Sequence, residues 1–380
     1  MGNQISFTVL DSELQRQKIA EMMDLALDPR GKADAIMVIV LSSIYFVDFL
    51  AVAFLLWNRN YPPLKSKGPI LMTLMMASSA FWFVGDLIAN GHLRAAGTVM
   101  TNCMAFGVWI RLLLGACAMC ILTSFRAYRL YRVFFLNLLY HTIGLYLPFA
   151  IYYTCLLIVG TILQVLKPKI TIYYEEYIDL CVAHLSFKAI LFVFLWLTRA
   201  VMIGVFWKIR NIKSSFNERR EMMVTRTIIF GALVFMTIVN YVSQFYALQT
   251  TLRVLTTVLS HLATNTLWWI IMAVPMYNCI FSRQEYVSQW ILKLRKDGLQ
   301  NEYNIDPNTT GGHSNIYSSS YNARSNGAKG DNKGFLQMNN GSYQSKEADS
   351  RLSSQNTFQG LPKAHFMAIM TRLISRACSQ

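Results

Sequence analysis

Three sets of residues in this chain have the types and spacing to do chemistry. Asp86, Arg111 and Lys188 are ionisable side chains set inside long apolar runs. A charge there is costly unless it is paired or faces a wet cavity, so the three are candidates for a ligand pocket. A mutually neutralising structural network accounts for them equally well. Arg126, Arg129 and Arg132 close one apolar run, and Glu218 and Glu221 open another. A base at the foot of one helix facing an acid at the foot of the next can act as a latch that breaks when the helices separate. On spacing alone, anchoring of those arginines at a lipid surface is the stronger reading. Cys103 and Cys181 form the third set. Both sit at ends of apolar runs that the charge distribution puts on one face, and an oxidised pair there would tie a loop to the top of a helix. The alternative is two unpaired thiols, the state expected of Cys117, Cys120, Cys155 and Cys279.

Other chemistry is not indicated. The six histidines are scattered, with no HExxH, and no GxSxG turn occurs, so no catalytic residue, metal ligand or cofactor is expected. The one CxxC, Cys117 to Cys120, lies inside an apolar run without a second pair, which argues against a zinc module. A retinal pigment is disfavoured because the last apolar run carries no lysine.

The elements that must position these residues are membrane helices. The chain has 380 residues, 54% hydrophobic and 14% charged, with a mean hydropathy of +0.34. That apolar content exceeds what a soluble domain of this size carries. The net charge of +15 resides mainly where apolar runs end, as expected for anchoring against anionic lipid and not for reading nucleic acid. Seven runs are long enough to span a bilayer: 35–57, 69–90, 103–134, 138–166, 183–207, 227–248 and 255–277. The third, with a cysteine at one mouth and arginines at the other, organises the rest. Basic residues concentrate after runs one, three, five and seven, while the alternate loops hold only Arg94, Lys167, Lys169 and Arg253, partly balanced by Glu175, Glu176 and Asp179. The amino terminus is therefore expected outside and the carboxyl terminus in the cytosol.

Four regions follow: a short extracellular segment over 1–34, the bundle over 35–281, an amphipathic juxtamembrane helix over 282–298 and a cytoplasmic, mostly disordered tail over 299–380. The first is too small to be a ligand-binding domain, though 14–27 could form a short helix. Residues 363–376 regain helical periodicity, consistent with membrane docking or with a solvent-exposed helix. No cleavable leader is evident. Met1-Gly2-Asn3-Gln4-Ile5-Ser6 matches a myristoylation pattern that would put the amino terminus in the cytosol, and Asn308 and Asn340 open glycosylation triplets that would put the tail outside; the charge bias outweighs both. Asp48, Arg199, Asn240 and Asn265 lie deeper in the runs and read as interhelical polar contacts.

The strings Arg126-Ala127-Tyr128-Arg129-Leu130-Tyr131-Arg132-Val133-Phe134 and Phe216-Asn217-Glu218 resemble two inner-face motifs of class C G-protein-coupled receptors, the metabotropic glutamate and GABA-B type. Arg126 stands where that family usually has lysine, and Glu218 matches the acid of its inner lock. Pro275-Met276-Tyr277 is similar to the family's ending of the seventh helix, with Met276 replacing a lysine and one position missing. The chain is also similar to fungal seven-helix receptors of this type. The resemblance covers about 35–281. It implies an all-α seven-transmembrane bundle, a Cys103–Cys181 disulfide, and an inner lock and G-protein contact formed by Arg126, Arg129, Arg132, Phe216, Asn217 and Glu218. It further implies a heterotrimeric G protein as partner, a small unidentified ligand, membrane lipid contacts and a plasma-membrane location, with a homodimer left open. Two departures stand. With 34 residues before the first run, no flytrap module is expected, so inherited amino-acid binding is unsupported, and the sixth run holds no tryptophan for the family's aromatic switch. The competing expectation is a seven-helix transporter or channel, which calls for an inverted repeat or interrupted helices that are not evident.

Overall fold

The computed structural model describes residues 10–136, 143–166, 170–209, 218–243 and 245–296, all within one compact unit, Met1–Tyr303. Side chains at 130, 133–136, 143, 145, 201–202, 205–206, 208–209, 218–220 and 295–296 are outside the description. Phe216, Asn217, the tail with its triplets and the myristoylation site also lie outside the described residues, as does the side chain of Glu218.

A short helix α1 (Asp11–Met22) precedes the first long helix, α2 (Lys32–Trp57). Helix α2 opens with an acid in its first turn, Asp34, which favours the positive end of the helix dipole. It closes where the Asn58 side-chain amide donates to the Phe54 carbonyl at 3.2 Å. Pro62 then starts α3 (Pro62–Lys67) in the first helical turn, where a missing N–H is harmless. Gly68, at φ +74°, ends α3 in the left-handed conformation that glycine adopts without steric cost, and Pro69 starts α4 (Pro69–Ala89).

The organising third span is one continuous rod of two geometries. Met104–Cys117 winds with the wide π turn, and α5 (Ala118–Leu136) continues it as an ordinary helix. The wide part lies directly against α4. A Cβ at Gly85 would stand 2.6 Å from the Arg111 Cα, and one at Gly115 would stand 2.8 Å from the Trp82 Cα, so glycine alone permits the backbones to meet.

Beyond it come α6 (Ile143–Val165), a two-stranded antiparallel hairpin, α7 (Leu185–Ile209), α8 (Glu218–Val242), α9 (Thr250–Phe281) and α10 (Arg283–Lys296). The hairpin strands are β1 (Ile172–Glu175) and β2 (Leu180–Ala183), with Tyr174 opposite Cys181. Among the described residues, six helices are long and apolar enough to cross a membrane. Helix α7, at 25 residues, completes the set of seven long rods. Their outer faces stay apolar: Phe46, Phe49 and Trp57 on α2 and Ile151, Ile158 and Ile162 on α6 are exposed, as surfaces that face lipid must be.

The expected spans hold in number and order, with shifted ends. The sixth begins nine residues before 227 and stops at Val242, because Tyr246–Leu248 forms a separate tight turn. The seventh starts at Thr250, which brings Arg253, expected in a loop, inside the helix. The stretch between the fourth and fifth runs, counted with the loops, holds the hairpin.

Candidate functional site

At the Cys103 end, the bundle is closed by a hairpin and by the amino-terminal segment. Cys103 and Cys181 are joined as a disulfide with a Cα–Cα distance of 5.6 Å, which fixes β2 to the start of the third span. The hairpin is then held by Asp179, a non-glycine residue at φ +46°. Its Oδ1 accepts from the Ala96 N–H at 2.8 Å and the Tyr174 hydroxyl at 2.7 Å, and its Oδ2 from Arg30 Nη1 at 2.6 Å. Burial alone would raise the Asp179 pKa, but Arg30 and these hydrogen bonds outweigh it and hold it below the usual carboxylate range. Arg30 also donates to the Gly91 carbonyl at 2.6 Å and to Glu13 of α1 at 3.2 Å, so one guanidinium joins α1, the 90s loop and the hairpin.

Beneath this cover lies a second knot. Asp34 accepts two hydrogen bonds from Arg253, at 2.7 and 2.9 Å, and one from His92 Nδ1 at 2.7 Å. The far nitrogen of His92 meets the Thr257 hydroxyl at 2.8 Å. Burial pushes the His92 pKa below that of a free imidazole, against the opposing pull of Asp34. The sequence reading missed Glu13, Arg30, Asp34 and His92 and took Arg253 and Asp179 for loop charges. The available signal was their position: all but Glu13 lie within a few residues of an apolar run, where an unpaired charge would have to be exposed.

A cavity of about 750 Å³ opens below the hairpin, between α4, the third span, α7, α8 and α9. Arg111 and Lys188 stand on its wall, with Trp82, Asn240 and Tyr246. Asp86, the third expected pocket residue, does not line it. Its carboxylate is fully buried behind Arg111, taking Arg111 Nε at 2.5 Å on one oxygen and His261 Nε2 at 3.1 Å on the other. Arg111 Nη2 reaches Asn90 at 2.9 Å and the Tyr246 hydroxyl at 3.4 Å, and the other face of His261 lies 3.0 Å from the Tyr45 hydroxyl. A polar chain therefore runs from α2 through α9 and α4 to the cavity wall. Arg199 and Asn240, expected as interhelical contacts, both line the cavity; Arg199 also donates to Cys120 Sγ at 2.9 Å. Asp48 and Asn265 lie outside its wall; Asp48 accepts from Trp269 Nε1 at 2.7 Å.

At the Arg126 end, Glu221 of α8 takes Arg126 Nη2 of α5 at 3.3 Å and Lys67 Nζ of α3 at 3.0 Å on a single oxygen. All three side chains are buried. Arg129 donates to the Ser66 carbonyl at 2.9 Å and fills the space beside Gly68 that a Cβ would take. Arg132 is buried next to Gly144. Helix α10 docks here too, with Trp290 and Leu294 buried and Arg283 stacked 5.3 Å over the Tyr61 ring.

Seven long apolar rods, a disulfide-tethered hairpin over a central cavity and a charged tie at the opposite end define a multi-pass membrane protein with the architecture of a seven-helix receptor. The family described as the seven-transmembrane sweet-taste receptor of 3 GCPR matches residues 31–276. The chain thus belongs to the class C G-protein-coupled receptors, a family of receptors and not of enzymes. No curated protein matches it.

Proposed function

We propose that this protein is a plasma-membrane receptor in which a ligand in the bundle cavity controls a heterotrimeric G protein at the opposite end. In this reading the Cys103 end faces outward and the Arg126 end faces the cytosol, in line with the positive loops. The observation that carries it is Glu221: one carboxylate of α8 is gripped by cations from α5 and α3 at the end remote from the cavity. Holding α8 inward keeps the cytosolic face closed, and releasing it opens a crevice for a partner. The motif acid Glu218 opens α8 three residues earlier and is proposed to act in the same tie. Phe216, Asn217, Arg129 and Arg132 are proposed to shape the surface that the G protein meets.

A nucleotide-free complex tests the coupling. Membranes holding the protein, stripped of nucleotide with apyrase, are expected to retain one class of Gα subunit on affinity purification and to release it with GTPγS. Failure to retain any Gα class would contradict the proposal. An epitope before Asp11 is expected to be labelled on intact cells, and labelling only after permeabilisation would reverse the orientation.

A further inference from the structure

The cavity wall is unevenly charged, and this inference rests on the cavity being the ligand site of the proposed receptor. Among the described residues, three cationic side chains line it, Arg111, Lys188 and Arg199, against one carboxylate, Glu175, which sits on the hairpin at the mouth. Asp86 offsets the Arg111 charge from behind the wall, where its two oxygens are taken by Arg111 Nε and His261. Arg111 spends its Nε and Nη2 on Asp86, Asn90 and Tyr246, whereas its Nη1 has no acceptor among the described residues. Lys188 stands on the same wall as Arg111. In a site walled by low-dielectric side chains, an anion is held well by charge-assisted hydrogen bonds from two such cations.

The rest of the wall is apolar. Leu112, Leu191, Leu195, Met236 and Leu267 form it, and the volume of about 750 Å³ falls in the range of small-molecule sites. We propose that the cavity takes a hydrophobic acid, whose anionic head lies between Arg111 Nη1 and the Lys188 ammonium and whose hydrocarbon body lies along the leucines. A neutral alcohol of the same size lacks the charge, and an amine of the same size meets like charge; both are rejected.

The test uses the full chain in discs of zwitterionic phospholipid and reads the thermal midpoint against probe concentration. The probes are decanoate and naphthoate, each beside the alcohol and the amine of matching skeleton. At least one acid is expected to raise the midpoint in a saturable way, with its alcohol and amine at least tenfold weaker. Lys188→Gln is expected to weaken the acid by roughly tenfold or more, the loss of one charge-assisted hydrogen bond. The paired change Asp86→Asn with Arg111→Gln, which leaves no buried acid unpaired, is expected to do the same, each variant being read against its own ligand-free midpoint. Equal binding of acid, alcohol and amine, no saturable shift with either acid, or an unchanged acid affinity in Lys188→Gln would overturn the proposal. So would discs containing phosphatidic acid that reproduce the shift without probe and lose it in Lys188→Gln, since the anion would then be a lipid headgroup. No G protein enters this assay, so it fails or stands apart from the receptor reading, which the nucleotide-free complex tests.

Discussion

Arg253 has no exposed surface; Asp34 meets its guanidinium with two hydrogen bonds, and His92 steadies the same carboxylate. Such a pair is poor evidence of net stabilisation, but removing one partner strands the other. Arg253→Leu is therefore expected to cost about 3–5 kcal/mol, read as a fall in the thermal unfolding midpoint, with Asp34→Asn in the same chain restoring part of it. Protons act on the same end. His92 and Asp179 both have pKa values lowered by folding, so the unfolded chain binds more protons than the folded one as pH falls. Their contribution is whole above the free-imidazole value of 6.5 and is lost downward from there, His92 first and Asp179 below 3.8. The midpoint is expected to stay flat above that range and to fall on acidification, and His92→Gln should flatten the upper part of the slope. None of this was legible residue by residue. Asp34 and Arg253 stand 219 positions apart, and no local pattern announces that two helix starts will meet.

At the scale of elements, the apolar runs and the arginine-rich end of the third span were legible because length and composition decide them. The hairpin was not, because Ile172 to Ala183 alternates weakly and gains its strand form from the Cys103 bridge and the Asp179 turn. Opening that bridge with Cys181→Ser is expected to cost about 2–5 kcal/mol by freeing a long loop in the unfolded chain, measured as a lowered midpoint that reductant no longer shifts. The contact of α4 with the wide-turn helix was equally hidden, since Gly85 looks like any glycine in an apolar run. Gly85→Ala is expected to force the Arg111 backbone away and cost about 1–3 kcal/mol, and to weaken any ligand that Arg111 holds. Pocket residues were legible in part. Arg111 and Lys188 reach the cavity from sequence positions that marked them as intramembrane charges, but which of them would face the wall and which, like Asp86, would sit behind a partner depends on helix rotation that periodicity alone does not give.

For the whole molecule, the two ends do different work. The Cys103 end is knotted by a disulfide and two charge clusters, which suits a fixed frame around a cavity, whereas at the Arg126 end the described tie on α8 is a single carboxylate shared by two cations. Motion is expected where the ties are few. Whether Glu221 holds α8 in the inactive position is read from basal nucleotide exchange on a panel of Gα subunits. Membranes carrying the wild type would be compared with Glu221→Gln and Glu218→Ala at equal surface amounts. Glu221→Gln is expected to raise exchange on one class of subunit without any ligand, with Glu218→Ala acting in the same direction. Exchange that stays at the wild-type level in Glu221→Gln, on a subunit that the wild type binds in its nucleotide-free form, would contradict it.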